Sequence, residues 1–151
     1  MDCPFCLKPL TSVVNSRPTK QRGQIWRRRR CLYCQETFTT HEIIDLSHLV
    51  VIKRSGKTEM FNRMKLYLGI YTATLNSDKY NKEKLVESIT QDIERQLMGL
   101  RLKRVESSLI GDIVLKKLCK INMASFLRYI AFCKNIQSEA QMKREIAKYT
   151  Q

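Results

Sequence analysis

Two CxxC pairs constrain this chain more than anything else in it: Cys3-Pro4-Phe5-Cys6 at the start and Cys31-Leu32-Tyr33-Cys34 one hairpin's length later. Two residues between thiolates let one turn of backbone present both sulfurs to a single ion. Two such knuckles complete the tetrahedral four-sulfur shell that structural zinc prefers. The spacing therefore predicts a zinc ribbon, with Cys3, Cys6, Cys31 and Cys34 holding one ion per chain. Disulfides are the competing reading, but they belong to oxidising compartments, and no hydrophobic leader precedes Cys3. Cys119 and Cys133 stand singly among apolar neighbours and read as core cysteines.

A chain of 151 residues can form one domain or two small ones. A module below about 50 residues is feasible where a metal replaces the core it is too small to build. No stretch reaches the roughly 18 to 20 apolar residues of a membrane span, so a soluble protein with no membrane partner is expected. The formal charge of +14 calls for a polyanionic partner, but the total alone does not choose between DNA, RNA and lipid headgroups.

The distribution of charge is more informative. Between Cys3 and Gln35 there is no acidic residue, while Lys8, Arg17, Lys20, Arg22 and Arg27 to Arg30 supply eight cations. After Ser47, twenty basic residues are mixed with ten acidic ones, as on a solvated helical surface. Within the first segment, Thr11 to Arg17 and Gln24 to Arg30 read as strands flanking a turn with Pro18 and Gly23, and Glu36 to Thr40 supplies a third. Alternate residues of a strand face opposite sides, so Arg27 and Arg29 point one way and Arg28 and Arg30 the other. One pair at most shares a flat surface with Trp26 or Arg17. Such a face suits a phosphate backbone or a guanine edge, and an acid-free segment is costly in self-repulsion without an anion. A merely solubilising arginine run is the bland alternative.

After Asp45 the pattern changes. Leu49 to Arg54 reads as a buried strand, Ser55-Gly56 as a turn and Lys57 to Phe61 as a short return strand. Helices follow. Asn62 is a suitable N-cap for a helix with Phe61, Met64, Leu68, Tyr71 and Leu75 on one stripe. Leu85, Ile89, Ile93 and Leu97 define a second helix ending near Gly99. Ser107 or Ser108 opens a third with Ile110, Val114 and Leu118, and Asn122 caps a fourth with Phe126, Tyr129, Ile130 and Cys133. Met142, Ile146 and Tyr149 form a last apolar face expected to pack on a partner chain. The fold class is thus α+β: a small β module followed by a mostly helical domain with a β-hairpin.

Lys53-Arg54-Ser55-Gly56 places two cations at the end of a buried strand before a glycine turn, and Lys65 lies on the following helix. That combination suits a phosphate-sized anion, although a plain hairpin with a basic tip accounts for it equally well. Neither GxxxxGK[ST] nor GxGxxG occurs. No paired carboxylates, activated nucleophile or Cys-His couple suggests catalysis, and a non-enzyme is expected.

Taken in order, CPFC, a strand ending in Asn15-Ser16-Arg17, Arg27 to Arg30 before Cys31, Cys34, Phe38-Thr39-Thr40, and Val51-Ile52-Lys53-Arg54-Ser55-Gly56 with Phe61 resemble the NrdR-type bacterial repressors of ribonucleotide reductase genes. Ser108 to Val114 and Arg128 extend the likeness into the helices. The resemblance implies a DNA-binding zinc ribbon over 1–46, an ATP-cone over 49–139 that senses ATP against dATP, and a C-terminal helical tail over 140–151. It implies a bacterial cytoplasmic protein, nucleoid-associated when bound to double-stranded DNA, and a homo-oligomer whose assembly the adenine nucleotide controls. Arg17, Arg27, Arg28, Arg29 and Arg30 transfer as DNA contacts, and Val51, Lys53, Arg54, Ser55, Gly56 and Lys65 as the nucleotide pocket. Zn2+ and ATP or dATP are the implied ligands. This sequence departs from the family pattern at Asn15, His41, Ser55, Cys133 and Lys134. An alternative role is a nucleic-acid adaptor whose cone no longer senses nucleotide.

Overall fold

The computed structural model describes residues 1–19, 23–74 and 79–150. Lys20, Arg22 and Leu75 lie outside the described residues. The chain divides into two compact units, Met1–Asp45 and Leu46–Gln151.

The first unit is a three-stranded antiparallel sheet in the order β1 (Thr11–Pro18), β2 (Gln24–Cys31), β3 (Thr37–Ile43). Gly23 turns the chain between β1 and β2 at φ +88°, a backbone angle that a side chain disfavours. Cys31 pairs with Thr11, Arg28 with Asn15 and Arg17 with Trp26 across β1 and β2, and a bulge between Val13 and Asn15 shifts the register. Across β2 and β3, Trp26 faces His41 and Arg28 faces Thr39. The third strand runs three residues beyond the expected end at Thr40, because Trp26, Ile25 and Gln24 continue to pair with His41, Glu42 and Ile43.

In the second unit the expected hairpin forms from β4 (Val50–Ile52) and β5 (Thr58–Met60). Gly56 sits at φ +80° in its turn, where its N–H donates to the Lys53 carbonyl at 2.9 Å. A strand that the sequence did not announce, β6 (Arg104–Glu106), pairs parallel with β4 to give the order β5-β4-β6. Helices α1 (Arg63–Ala73), α2 (Lys79–Gly99), α3 (Ser107–Ile121), α4 (Met123–Lys134) and α5 (Glu139–Ala147) complete the unit. Phe126, Ile70, Ile89, Ile93, Leu115, Leu118 and Ile130 are the largest side chains sealed in its core.

Asn62 and Asn122 cap α1 and α4 as expected, accepting from the Lys65 and Ser125 backbone N–H groups. Ser107 opens α3 as expected, directly out of β6, and Ser108 donates its hydroxyl to the Glu106 carboxylate at 2.9 Å. Two expectations need correction. On α1 the inward face is Leu66, Ile70 and Ala73, while Met64 and Leu68 are 58% and 52% exposed. That helix is apolar on more than one side, so a three-and-four spacing does not fix which stripe meets the core. Finally, Met142, Ile146 and Tyr149 pack on the core of their own unit, with Tyr149 edge-on to Phe126 at 5.8 Å.

Candidate metal centre, basic face and anion cavity

The two knuckles are copies of one local structure. Cys3 N–H donates to the Lys8 carbonyl at 3.0 Å and Cys31 N–H to the Glu36 carbonyl at 2.9 Å, each five residues on. Leu7 and Gln35, each following the second cysteine of its pair, both take positive φ, 59° and 62°. These turns bring the four sulfurs within 4.8 Å of one another, with Cys3 to Cys34 at 3.6 Å and Cys6 to Cys31 at 3.5 Å. Zinc–sulfur bonds of about 2.3 Å in a tetrahedron set sulfur pairs about 3.8 Å apart, so the cluster fits one zinc ion. Its electrostatics agree. The Cys31 thiol is drawn down to about 6, foremost by a backbone hydrogen bond from Cys34 and further by that of Tyr33. A backbone hydrogen bond from Glu36 favours the Cys34 thiolate, yet lost solvation and the sulfurs of Cys6, Cys3 and Cys31 push that thiol up to about 12. One negative sulfur thus makes the next harder to ionise, a conflict that a divalent cation relieves. His41 lies apart from this cluster, opposite Trp26 on β3.

Register sorts the arginines. Directly paired strand residues share a face, so Arg17, Trp26 and His41 form one row, Asn15, Arg28 and Thr39 the next, and Ser12, Arg30 and Thr37 a third. No acid belongs to these rows. Arg17 stacks its guanidinium on Trp26 at 4.4 Å, and Arg28 donates to Thr37 Oγ1 at 2.6 Å, which steadies it without neutralising it. The reverse face differs: Arg27 pairs with Glu42 at 2.6 Å, and Arg29 donates to Thr40 Oγ1 at 3.2 Å. The buried Arg27 Nε has no hydrogen-bond partner among the described residues.

The second unit carries a half-open cavity of about 360 Å3 between the hairpin, α1, the start of α3 and the end of α4. Of the residues expected there, Val51, Lys53, Arg54 and Lys65 line it; Ser55 and Gly56 make the β4–β5 turn and are not among the lining residues. Lys134 contributes a fourth cation from α4, Phe61, Tyr129 and Phe132 supply aromatic surface, and Ser107, Ser108 and Gly111 bring the N-terminal turn of α3 to the wall. Sequence reasoning left Lys134, the α3 turn and Glu59 out of the site, because nothing periodic ties them to the hairpin. Glu59 holds both lysines, Lys53 at 2.9 Å and Lys65 at 2.8 Å. The Lys65 hydrogen bond, followed by that of Lys53, keeps the Glu59 carboxyl below the ordinary glutamate value. Burial pushes the Tyr129 phenol and the Cys133 thiol up, so both line the cavity in their neutral forms. Four cations beside aromatic walls can take a polyphosphate joined to a flat ring.

Residues 1–42 match the family model for the N-terminal domain of NrdR-like transcriptional repressors, a zinc ribbon, and residues 49–139 match that of the ATP-cone domain. Similar proteins include the transcriptional repressor NrdR of Pelotomaculum thermopropionicum, 34% identical over 97% of this chain and 87% of the relative. That of Bacillus mycoides is 36% identical over 85% of this chain and 83% of the relative. That of Clostridium botulinum is 32% identical over 97% and 95%. These relatives are regulators named for repression, not enzymes. On this similarity, spanning nearly its whole length, the chain belongs to the NrdR family of transcriptional repressors.

Proposed function

We propose that the chain is a nucleotide-responsive repressor of ribonucleotide reductase genes, binding double-stranded DNA through its ribbon (1–46) and ATP or dATP through its cone (49–139). The observation that carries this reading is that one chain holds two unlike cationic surfaces: a flat, acid-free face and a concave, aromatic-walled cleft. The flat face, with Arg17, Arg28 and Arg30, suits the outside of a duplex, where guanidinium groups meet phosphates and base edges. The concave one suits a single small ligand, with Lys53, Arg54, Lys65 and Lys134 toward phosphates and Phe61, Tyr129 and Phe132 toward a base. Nucleotide occupancy alters how cones assemble into a homo-oligomer, and assembly sets whether two ribbons fit two half-sites together. No described helix is long and apolar enough to cross a membrane, in keeping with action on DNA in the bacterial cytoplasm.

Light scattering after size exclusion tests this on zinc-loaded protein run without nucleotide, with ATP and with dATP, alongside DNA binding under the same three conditions. The expected result is a nucleotide-dependent change in both. Lys53→Ala should remove the change and keep the zinc content. A second reading, an adaptor whose cone no longer senses nucleotide, draws support from Glu59, which already occupies both Lys53 and Lys65. Three identical profiles would establish that reading instead.

A further inference from the structure

Lys134 lines the cavity, yet its ammonium rests on a carboxylate from another helix: Nζ lies 2.6 Å from Asp112 Oδ1. The same oxygen accepts a second hydrogen bond, from the Tyr149 phenol at 2.7 Å. Tyr149 lies just beyond α5, with its ring on Phe126 and 6.0 Å from the Lys134 ammonium. One carboxylate oxygen therefore joins the C-terminal helix to the cavity wall. None of the α5 side chains is buried, and Met142 and Ile146 touch the core only partly. Besides these half-buried contacts, the Cys119 thiol donates to the Tyr149 carbonyl at 3.5 Å, so the phenol's bond to Asp112 is one of two hydrogen bonds that dock the residue after α5.

An anion in the cavity competes with Asp112 for Lys134. If the lysine leaves, a half-buried carboxylate is stripped of its cation, which is unfavourable unless another donor remains. Tyr149 is that donor. We propose that Tyr149 is a positioning residue for anion binding: by donating to Asp112 it frees Lys134 for a polyphosphate, so that docking of α5 and filling of the cavity favour each other. This rests on the cavity being the nucleotide site. The coupling runs both ways, since a helix that promotes ligand binding is itself held by the ligand to the same factor.

Calorimetric titration with ATP, on zinc-loaded full-length protein, tests it. Tyr149→Phe keeps the ring on Phe126 and removes the donor alone; affinity is expected to fall about five-fold, the lower end of couplings between linked sites. In an Asp112→Asn background the same substitution should change affinity little, because no carboxylate retains the lysine. A purely structural role for Tyr149 would carry the loss into both backgrounds. Saturating ATP should also slow amide exchange over 139–149 by a similar factor, and this protection should vanish in Tyr149→Phe. Equal affinities of the unaltered chain and Tyr149→Phe, or equal losses in both backgrounds, overturn the positioning role while leaving the nucleotide site standing. No saturable ATP binding to the unaltered chain overturns both.

Discussion

The two units of this chain solve the same problem by opposite means. In the ribbon, the buried apolar side chains among the described residues are Cys3 and Cys31, both part of the four-sulfur cluster that fits zinc; Phe5, Leu7, Leu10, Leu32 and Tyr33 are all exposed. In the cone a continuous cluster runs from Leu46 through Val51, Ile70, Ile93 and Val114 to Ile130. Metal bonds replace hydrophobic burial where about 45 residues are too few to enclose a core, and burial suffices where about a hundred are available. The difference reaches function. A ribbon without a core can devote both sheet faces to solvent and one of them to cations, whereas the cone must close its helices and thereby creates a cavity.

The comparison breaks most readily at the metal. Cys31→Ser, or a strong chelator, should unfold the ribbon outright, since structural zinc supplies about 10 to 16 kcal/mol in small modules. The helical circular dichroism of the cone should persist, since no residue of Met1–Asp45 belongs to its core. Loss of the ribbon's dispersed amide NMR signals with retained ellipticity is the expected result; a ribbon that stays folded without metal would mean that burial holds it after all. The converse change is Phe126→Ala, at a fully buried position. It should cost the cone about 3 to 5 kcal/mol in urea unfolding and leave zinc stoichiometry untouched.

The two faces of the ribbon allow a sharper test. Replacing Arg28 and Arg30 together with Ala should flatten the salt dependence of DNA binding by nearly two in logarithmic slope, given about 0.9 per phosphate contact. Replacing Arg27 and Arg29 should change it less, because Glu42 already neutralises Arg27 on the reverse face. Equal effects from the two pairs would show that the duplex does not distinguish the faces, and the register-based assignment would fall.

Much of this was legible in the sequence wherever local chemistry decides the outcome. Paired cysteines, the arginine alternation, the Ser55-Gly56 turn and the Asn62 and Asn122 caps all act through neighbours a few residues away. What escaped depends on distant closure. Strand β6 is three residues long with Val105 alone buried, too short to carry a period, and it exists because β4 offers an open edge. Met64 and Leu68 read as core because α1 carries apolar residues on opposite sides. The far wall of the cavity, from Ser107 to Lys134, comes from helices that the hairpin sequence has no means of announcing.

The smallest expected effect separates charge held within the cone from charge displayed on the ribbon. Glu59 answers Lys65 and Lys53 inside the cavity, and Lys65 first, then Lys53, lower its carboxyl below 4.5. A depressed carboxyl stabilises the folded state fully above its ordinary value and loses that contribution as pH falls through the folded value. The stability difference between the unaltered chain and Glu59→Gln should therefore be slight but present near neutrality, and should shrink toward zero on acidification below the ordinary glutamate range. Urea unfolding followed by helical ellipticity, to which the all-β ribbon contributes little, reads the cone alone. The same substitution removes one negative charge facing the ligand and frees two ammonium groups, so ATP affinity at neutral pH should rise a few-fold. A fall in affinity would mean that Glu59 contacts the nucleotide directly rather than standing in for its phosphates, and the cations would then owe their placement to the fold and not to their counter-ion.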